Sequence, residues 1–169
     1  MKCLLIDDEL PGLQYLKSLC LAAPQIEVAG SYNVPQKVVA DLPDLDFDIA
    51  FVDIEMPGMS GLELAKLLNK PVIFTTAYKE YAVDAFELDA IDYLVKPINS
   101  ERFRKAIEKA AAFIENKAAK NNTAILNTHQ GKMVVDFNEV RLIDIVANEP
   151  RDKRAILADG KEIVLKNYS

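Results

Sequence analysis

Four short apolar runs in this chain each lead directly into polar residues that can do chemistry. LLI precedes Asp7 and Asp8, IAFV precedes Asp53, VIFT precedes Thr76 and YLV precedes Lys96. Apolar runs of this length read as strands buried on both faces of a parallel sheet. Parallel strands end together, and open α/β sheets place their sites along that C-terminal edge. Three carboxylates, one hydroxyl and one ammonium are therefore expected in a single crevice. Such a set suits a magnesium ion and a phosphoryl group gathered around an aspartate.

The rest of the first 119 residues supports this reading. Strands are predicted at Lys2–Ile6, Glu27–Ser31, Ile49–Val52, Val72–Thr75 and Ala90–Val95. Helices are predicted at Pro11–Ala22, Pro35–Leu42, Gly61–Leu68, Glu80–Glu87 and from Ser100 to about Lys117. Five strands alternating with five helices predict an α/β fold with a doubly wound parallel sheet and right-handed crossovers. Pro11 suits the first turn of a helix, where its missing N–H costs nothing. Asn99 or Ser100 is placed to cap the last helix. Phe103, Ile107, Ala110, Ala111 and Ile114 recur at the spacing of one buried helical stripe.

After about residue 119 the pattern changes. KAAKNNT is small and polar and reads as a linker, placed at 120–123. Beyond it AILNT, KMVVDF, VRLIDIV, RAILA and KEIVL are short apolar or alternating runs. Turn signals separate them at Gln130-Gly131, Asn148-Glu149-Pro150 and Asp159-Gly160, the last a strong hairpin signal. Residues 124–169 are thus expected to be all-β and antiparallel. They are few for an independent core, so the chain is expected to stop inside a second domain.

Charge divides along the same line. Residues 1–119 carry twelve Lys/Arg against nineteen Asp/Glu, and residues 120–169 carry eight against seven. The first part should attract cations and repel nucleic acid, while the second tolerates a DNA partner without demanding one. No apolar stretch is long enough for a membrane span, and MKCLLIDDE lacks the form of a signal peptide. Cys3 and Cys20 read as reduced core residues, and a cytoplasmic protein fits best.

The chemistry follows from the residue types. Magnesium takes oxygen ligands and retains several waters, which two or three carboxylates permit. Crowded carboxylates repel one another, and a divalent ion together with Lys96 relieves that conflict. Asp53 can attack phosphorus to form an acyl phosphate. Lys96 would neutralise the transferring oxygens, and the Thr76 hydroxyl would bond one of them. A Mg²⁺ phosphatase with an aspartyl intermediate would use the same groups. Against it, the nucleophile is not on the first strand and no substrate cap is evident.

The segments LLIDDE, FVDIEMPGMSGLEL, VIFTTAY and YLVKPI together resemble the receiver domain of two-component response regulators over residues 1–119. The resemblance implies a flavodoxin-like sheet of order 2-1-3-4-5. It implies phosphoryl transfer from a sensor histidine kinase to Asp53, without enzymatic turnover beyond self-phosphorylation and autodephosphorylation. It assigns Mg²⁺ to Asp7, Asp8, Asp53 and the backbone carbonyl of Glu55, and the phosphoryl group to Thr76 and Lys96. Tyr93 becomes the aromatic that turns when Thr76 moves, an alternative to an ordinary core role. The bond before Pro97 is expected to be cis, and Glu55 and Tyr78 flank the site where phosphoryl lifetime is tuned. Phosphorylation is expected to repack the face of the fourth helix, fifth strand and fifth helix and to favour a homodimer.

GKMVVDFNEVRLIDI and ILADGKEIVLKN resemble, more weakly, the start of a LytTR DNA-binding domain over residues 124–169, which implies promoter DNA as a partner. If the chain ended naturally at Ser169, signalling by protein contacts alone would be expected instead. His129 reads as a surface residue in a turn. The cluster Arg151–Arg154 reads as a solvated hairpin tip or a phosphate contact.

Overall fold

The computed structural model describes the chain except Lys79, His129, Ala147, Asn148 and residues 166–169; the side chains of residues 120, 121, 145, 146 and 149–151 also fall outside the description. The expectation for His129 therefore lies outside the described residues. The chain forms two compact units, Met1–Ile114 and Glu115–Ser169.

The first unit contains β1 (Lys2–Ile6), α1 (Leu10–Leu21), β2 (Glu27–Tyr32), α2 (Pro35–Asp41), β3 (Ile49–Asp53), α3 (Gly61–Leu68), β4 (Val72–Thr76), α4 (Ala82–Glu87) and β5 (Asp92–Val95), and most of α5 (Ser100–Asn121). Its strands form one parallel sheet of order β2-β1-β3-β4-β5. Side chains alternate across a strand, and here both sides are apolar. Cys3 and Leu5 of β1 join Ile49, Phe51, Ile73 and Leu94 on one face, covered by Leu13 and Leu16 of α1 and by Phe103, Ala106 and Ile107 of α5. Leu4 and Ile6 join Ala50, Val52, Val72 and Phe74 on the other, covered by Val38 of α2, Leu64 of α3 and Ala85 of α4. The result is a three-layer sandwich in which the stacked rings of Phe51 and Phe103, 5.3 Å apart, tie the central strand to the last helix.

Local signals set the helix starts. Pro11 lies in the first turn of α1. Asn99 caps α5, its Oδ1 accepting from Glu101 N at 2.8 Å. Ser60 and Glu63 form a reciprocal capping box at α3, which satisfies two backbone donors that the helix start leaves free.

Three boundaries differ from the sequence reading by two residues or more. β5 begins at Asp92, two residues after the expected Ala90. α4 begins at Ala82 rather than at Glu80. α5 continues to Asn121, so half of the expected linker is helical. Lys117–Lys120 is KAAK, with strong helix formers and neither glycine nor proline to stop it.

The second unit holds β6 (Thr123–Thr128), β7 (Gly131–Asp136), β8 (Val140–Val146), β9 (Glu149–Leu157) and β10 (Glu162–Leu165) in one antiparallel sheet of order β7-β6-β10-β9-β8. Asp159-Gly160 connects β9 to β10, with Gly160 at φ +85°. Glu149-Pro150, expected in a turn, instead opens β9, a place where proline removes no interior ladder bond. The Arg151–Arg154 segment lies inside β9 rather than at a hairpin tip, and Arg154 is 3.5 Å from both Asp144 and Glu162. Alternation is clear on β7, where Val135 is buried and Val134 is 66 % exposed. Among the described residues no helix is long and apolar enough to cross a membrane.

Candidate functional site

The residues singled out by sequence meet at the C-terminal edge of the parallel sheet. Asp7 and Asp8 follow β1, Asp53 ends β3, Thr76 ends β4 and Lys96 follows β5. β1 and β3 are neighbours in the sheet, which brings Asp7 beside Asp53. The strand order reverses between them, and such a switch point opens a crevice. Asp7, Asp53 and Thr76 are buried, and Asp8 is half-buried.

Lys96 closes the crevice from the far side. Its backbone N–H donates to the Thr76 carbonyl at 2.7 Å, continuing the β4–β5 ladder. Its Nζ lies 2.7 Å from Asp53 Oδ2 and 2.9 Å from Asp7 Oδ2. The Lys96-Pro97 peptide is cis. From α1 the Tyr15 hydroxyl donates to the Ile98 carbonyl at 2.6 Å, fixing the segment that follows Lys96.

The electrostatics are those of a crowded acidic site. Burial raises the Asp53 pKa above the ordinary carboxylate range, Asp7 pushes the same way, and Lys96 opposes both. Burial works against the Lys96 ammonium, but its hydrogen bond to Asp53 and its close charge pairing with Asp7 overcome it and raise that pKa.

Oxygens of Asp7, Asp8 and Asp53 lie within 4.8 Å of one another. Asp7 Oδ1 accepts from Glu9 N at 2.9 Å, whereas the buried Oδ2 has no aligned hydrogen-bond donor despite its proximity to Lys96. A buried carboxylate oxygen without a hydrogen bond is costly. Hard oxygen donors converging beside it fit a divalent cation such as Mg²⁺.

Two glycines permit this packing. A Cβ on Gly12 of α1 would lie 2.4 Å from Asp7 Oδ2, and one on Gly61 would lie 2.0 Å from the Asp53 carbonyl oxygen. Gly12 leaves room for the Asp7 carboxylate, and Gly61 lets α3 start directly against the strand that carries Asp53.

The remaining predicted residues lie around the rim. Thr76 Oγ1 accepts from Tyr78 N at 3.2 Å. The Tyr93 ring is half-buried, and its hydroxyl donates to the Tyr78 carbonyl at 2.7 Å. The Glu55 side chain is exposed and accepts from the Tyr81 hydroxyl at 2.7 Å. Gly12, Tyr15 and Tyr81 were not singled out from sequence. Their significance comes from contacts that no local spacing encodes.

A family model for the response regulator receiver domain matches residues 3–108, more than half of the chain. The chain belongs to the response regulator receiver domain family. This receiver is 39% identical over 113 residues to an uncharacterized response regulatory protein of Vibrio cholerae, covering 64% of this chain and 48% of that one. It is 34% identical over 114 residues to the sensory transduction protein LytT of Bacillus cereus, covering 64% and 46%. The transcriptional regulatory protein YpdB of Escherichia coli is 29% identical over 172 residues, covering 96% of this chain and 70% of that one. The chain spans about half the length of the first two relatives. Among solved structures, the response regulatory domain of mrkE from Klebsiella pneumoniae superposes with a TM-score of 0.64 at 33% identity, covering 69% of this chain and 99% of that one. The receiver's five-stranded sheet of order 2-1-3-4-5 is the fold of this group.

Proposed function

We propose that this receiver accepts a phosphoryl group on Asp53 from the histidine of a sensor kinase and, in the cytoplasm, relays that event to transcription. The observation that carries the reading is Lys96 Nζ at 2.7 Å from Asp53, beside the three clustered carboxylates. An Asp53 carboxylate oxygen attacks phosphorus, the phosphorus–nitrogen bond to the kinase histidine breaks, and the bond pair leaves with the imidazole. Lys96 exchanges part of its contact with Asp53 for a phosphoryl oxygen, which stabilises the charge developing there. Asp7, Asp8, Asp53 and the Glu55 carbonyl would hold Mg²⁺, which when bound supplies further neutralisation of phosphoryl charge.

The Thr76 hydroxyl, which accepts from Tyr78 N, can rotate its proton toward the new phosphoryl group. That group brings nearly two negative charges. A shift of Thr76 disturbs the loop between β4 and α4 that Tyr78 anchors and Tyr93 holds from β5. Tyr93 then turns inward, and the α4–β5–α5 face repacks toward a homodimer. Val83 and Phe86 on α4, 68 % and 82 % exposed, supply apolar contact area on that face.

Residues 124–169 are read as the beginning of a LytTR-type DNA-binding output, which the dimer would bring to paired half-sites on promoter DNA. Support comes from the antiparallel sheet of the second unit and from relatives named LytT and YpdB.

The test is labelling by a small phosphodonor with Mg²⁺, read by intact mass. Wild type is expected to gain one phosphoryl group and Asp53→Asn none, with the fold retained because the isostere keeps the volume. Equal labelling of the variant sinks the assignment of Asp53.

A further inference from the structure

Beside the acidic cluster lies an open cavity of about 480 Å³ bordered by Asp8, Glu55, Met56, Ser60 and Tyr81. Loops following β1, β3 and β4 form its walls. A hydrogen bond joins the β3 and β4 loops, from the Tyr81 hydroxyl to Glu55 Oε1 at 2.7 Å. The Glu55 carboxylate is drawn to that side and is not part of the Asp7–Asp8–Asp53 oxygen cluster.

Tyr81 is well placed to hold it. Its backbone carbonyl accepts from Ala85 N at 3.0 Å, so the residue is built into the first turn of α4. Its ring meets Tyr78 edge-on at 6.2 Å, and Tyr78 is tied through its own backbone to Thr76 and Tyr93. Glu55, by contrast, is exposed, two residues after Asp53, and has rotatable bonds that would let its carboxylate swing toward the crevice.

Resting on the reading of Asp53 as phosphoacceptor, we propose that Tyr81 is a positioning residue that prolongs the acyl phosphate by restraining the Glu55 carboxylate. Loss of the phosphoryl group requires water oxygen to bond to phosphorus as the phosphorus–oxygen bond to Asp53 breaks. The bond pair returns to the Asp53 carboxylate and the water proton passes to solvent. A freed Glu55 carboxylate accepts a hydrogen bond from that water and orients it for attack. While Tyr81 donates to it, Glu55 is kept from this task. The contact also lets movement of the β4–α4 loop, when Thr76 shifts, reset the lifetime of the signal that caused it.

The experiment labels the full chain with acetyl phosphate and Mg²⁺, removes the donor and follows decay of the phosphorylated mass. Wild type, Tyr81→Phe, Glu55→Ala and the double variant are compared, with thermal midpoints confirming folding. Losing a hydrogen bond to a charged group is expected to shorten the Tyr81→Phe lifetime on the order of tenfold. In the Glu55→Ala background the same change should have no effect, a non-additivity that loosened packing alone would not produce. A Tyr81→Phe lifetime equal to wild type, or an equal shortening with Glu55 absent, overturns the inference alone. A wild-type chain that takes no phosphoryl group overturns the reading of Asp53 and this inference with it.

Discussion

At the scale of single residues, the site crowds three carboxylates around one ammonium. Lys96 faces Asp53 and Asp7 together, and Asp7 Oδ2 still lacks an aligned donor. The raised Asp53 pKa means that this carboxylate contributes stability at low pH that is lost as pH rises through the folded value. A divalent cation bound only by the folded state reverses that loss. Mg²⁺ at neutral pH is therefore expected to raise the melting temperature in a concentration-dependent way. Gly12→Ala tests the geometry, because the new Cβ would sit 2.4 Å from Asp7 Oδ2. Alanine gains up to about 1 kcal/mol over glycine in a helix, so stability without metal is the wrong measure. The expected outcome is Mg²⁺ affinity weaker by about tenfold, or ~1.4 kcal/mol, read from thermal scans across a Mg²⁺ series. An unchanged Mg²⁺ response would mean that the Asp7 carboxylate relocates freely.

At the scale of elements, β5 and α5 are joined by an ion pair far from the acidic cluster. Buried Asp92, the first residue of β5, accepts two bonds from the Arg102 guanidinium, one of them at 2.6 Å, and lies 3.3 Å from Lys109 Nζ. Burial alone would raise the Asp92 pKa, but Arg102, the Tyr93 N–H and Lys109 together hold it below the ordinary value. A depressed carboxylate contributes stability above its unfolded pKa that disappears as pH falls through the folded one. Asp92→Asn should thus cost about 1 kcal/mol near neutral pH, a modest figure because Arg102 is partly exposed and the pair is screened. The gap from wild type should narrow as the pH of urea unfolding is lowered from about 7 to about 3, below the ordinary carboxylate pKa. A gap of constant size would show that Asn disturbs packing rather than charge.

At the scale of the whole molecule, the proposed function requires phosphorylation of Asp53 to change the state of assembly. The exposed Val83 and Phe86 lie on the α4 face, to which the Thr76–Tyr78–Tyr93 contacts lead. Beryllofluoride with Mg²⁺, a mimic of the phosphoryl group, should shift light-scattering mass toward a dimer at micromolar concentrations. Phe86→Asp should keep the chain monomeric by placing a charge where apolar surface is to be buried. A wild-type chain that stays monomeric with the mimic bound would argue for signalling without dimerisation.

Much of this molecule is legible before any coordinates. Buried parallel strands need apolar side chains on both faces, so LLI, IAFV, VIFT and YLV announce themselves, and the polar residue after or at the end of each run must fall on one edge. That logic located Asp7, Asp8, Asp53, Thr76 and Lys96 together, and Asp159-Gly160 marked the hairpin between β9 and β10. Element ends were less legible: α5 overran its polar tail because Ala and Lys sustain a helix, and β9 took in Glu149-Pro150. Tertiary structure alone decided which distant side chains brace the site. Tyr15 reaches Ile98 across 83 positions of sequence, and Tyr81 reaches Glu55 across 26. Gly12 matters only because the first turn of α1 folds back over Asp7. Periodicity records which face of an element is buried, whereas these contacts depend on how separate elements pack, and no local pattern carries that information.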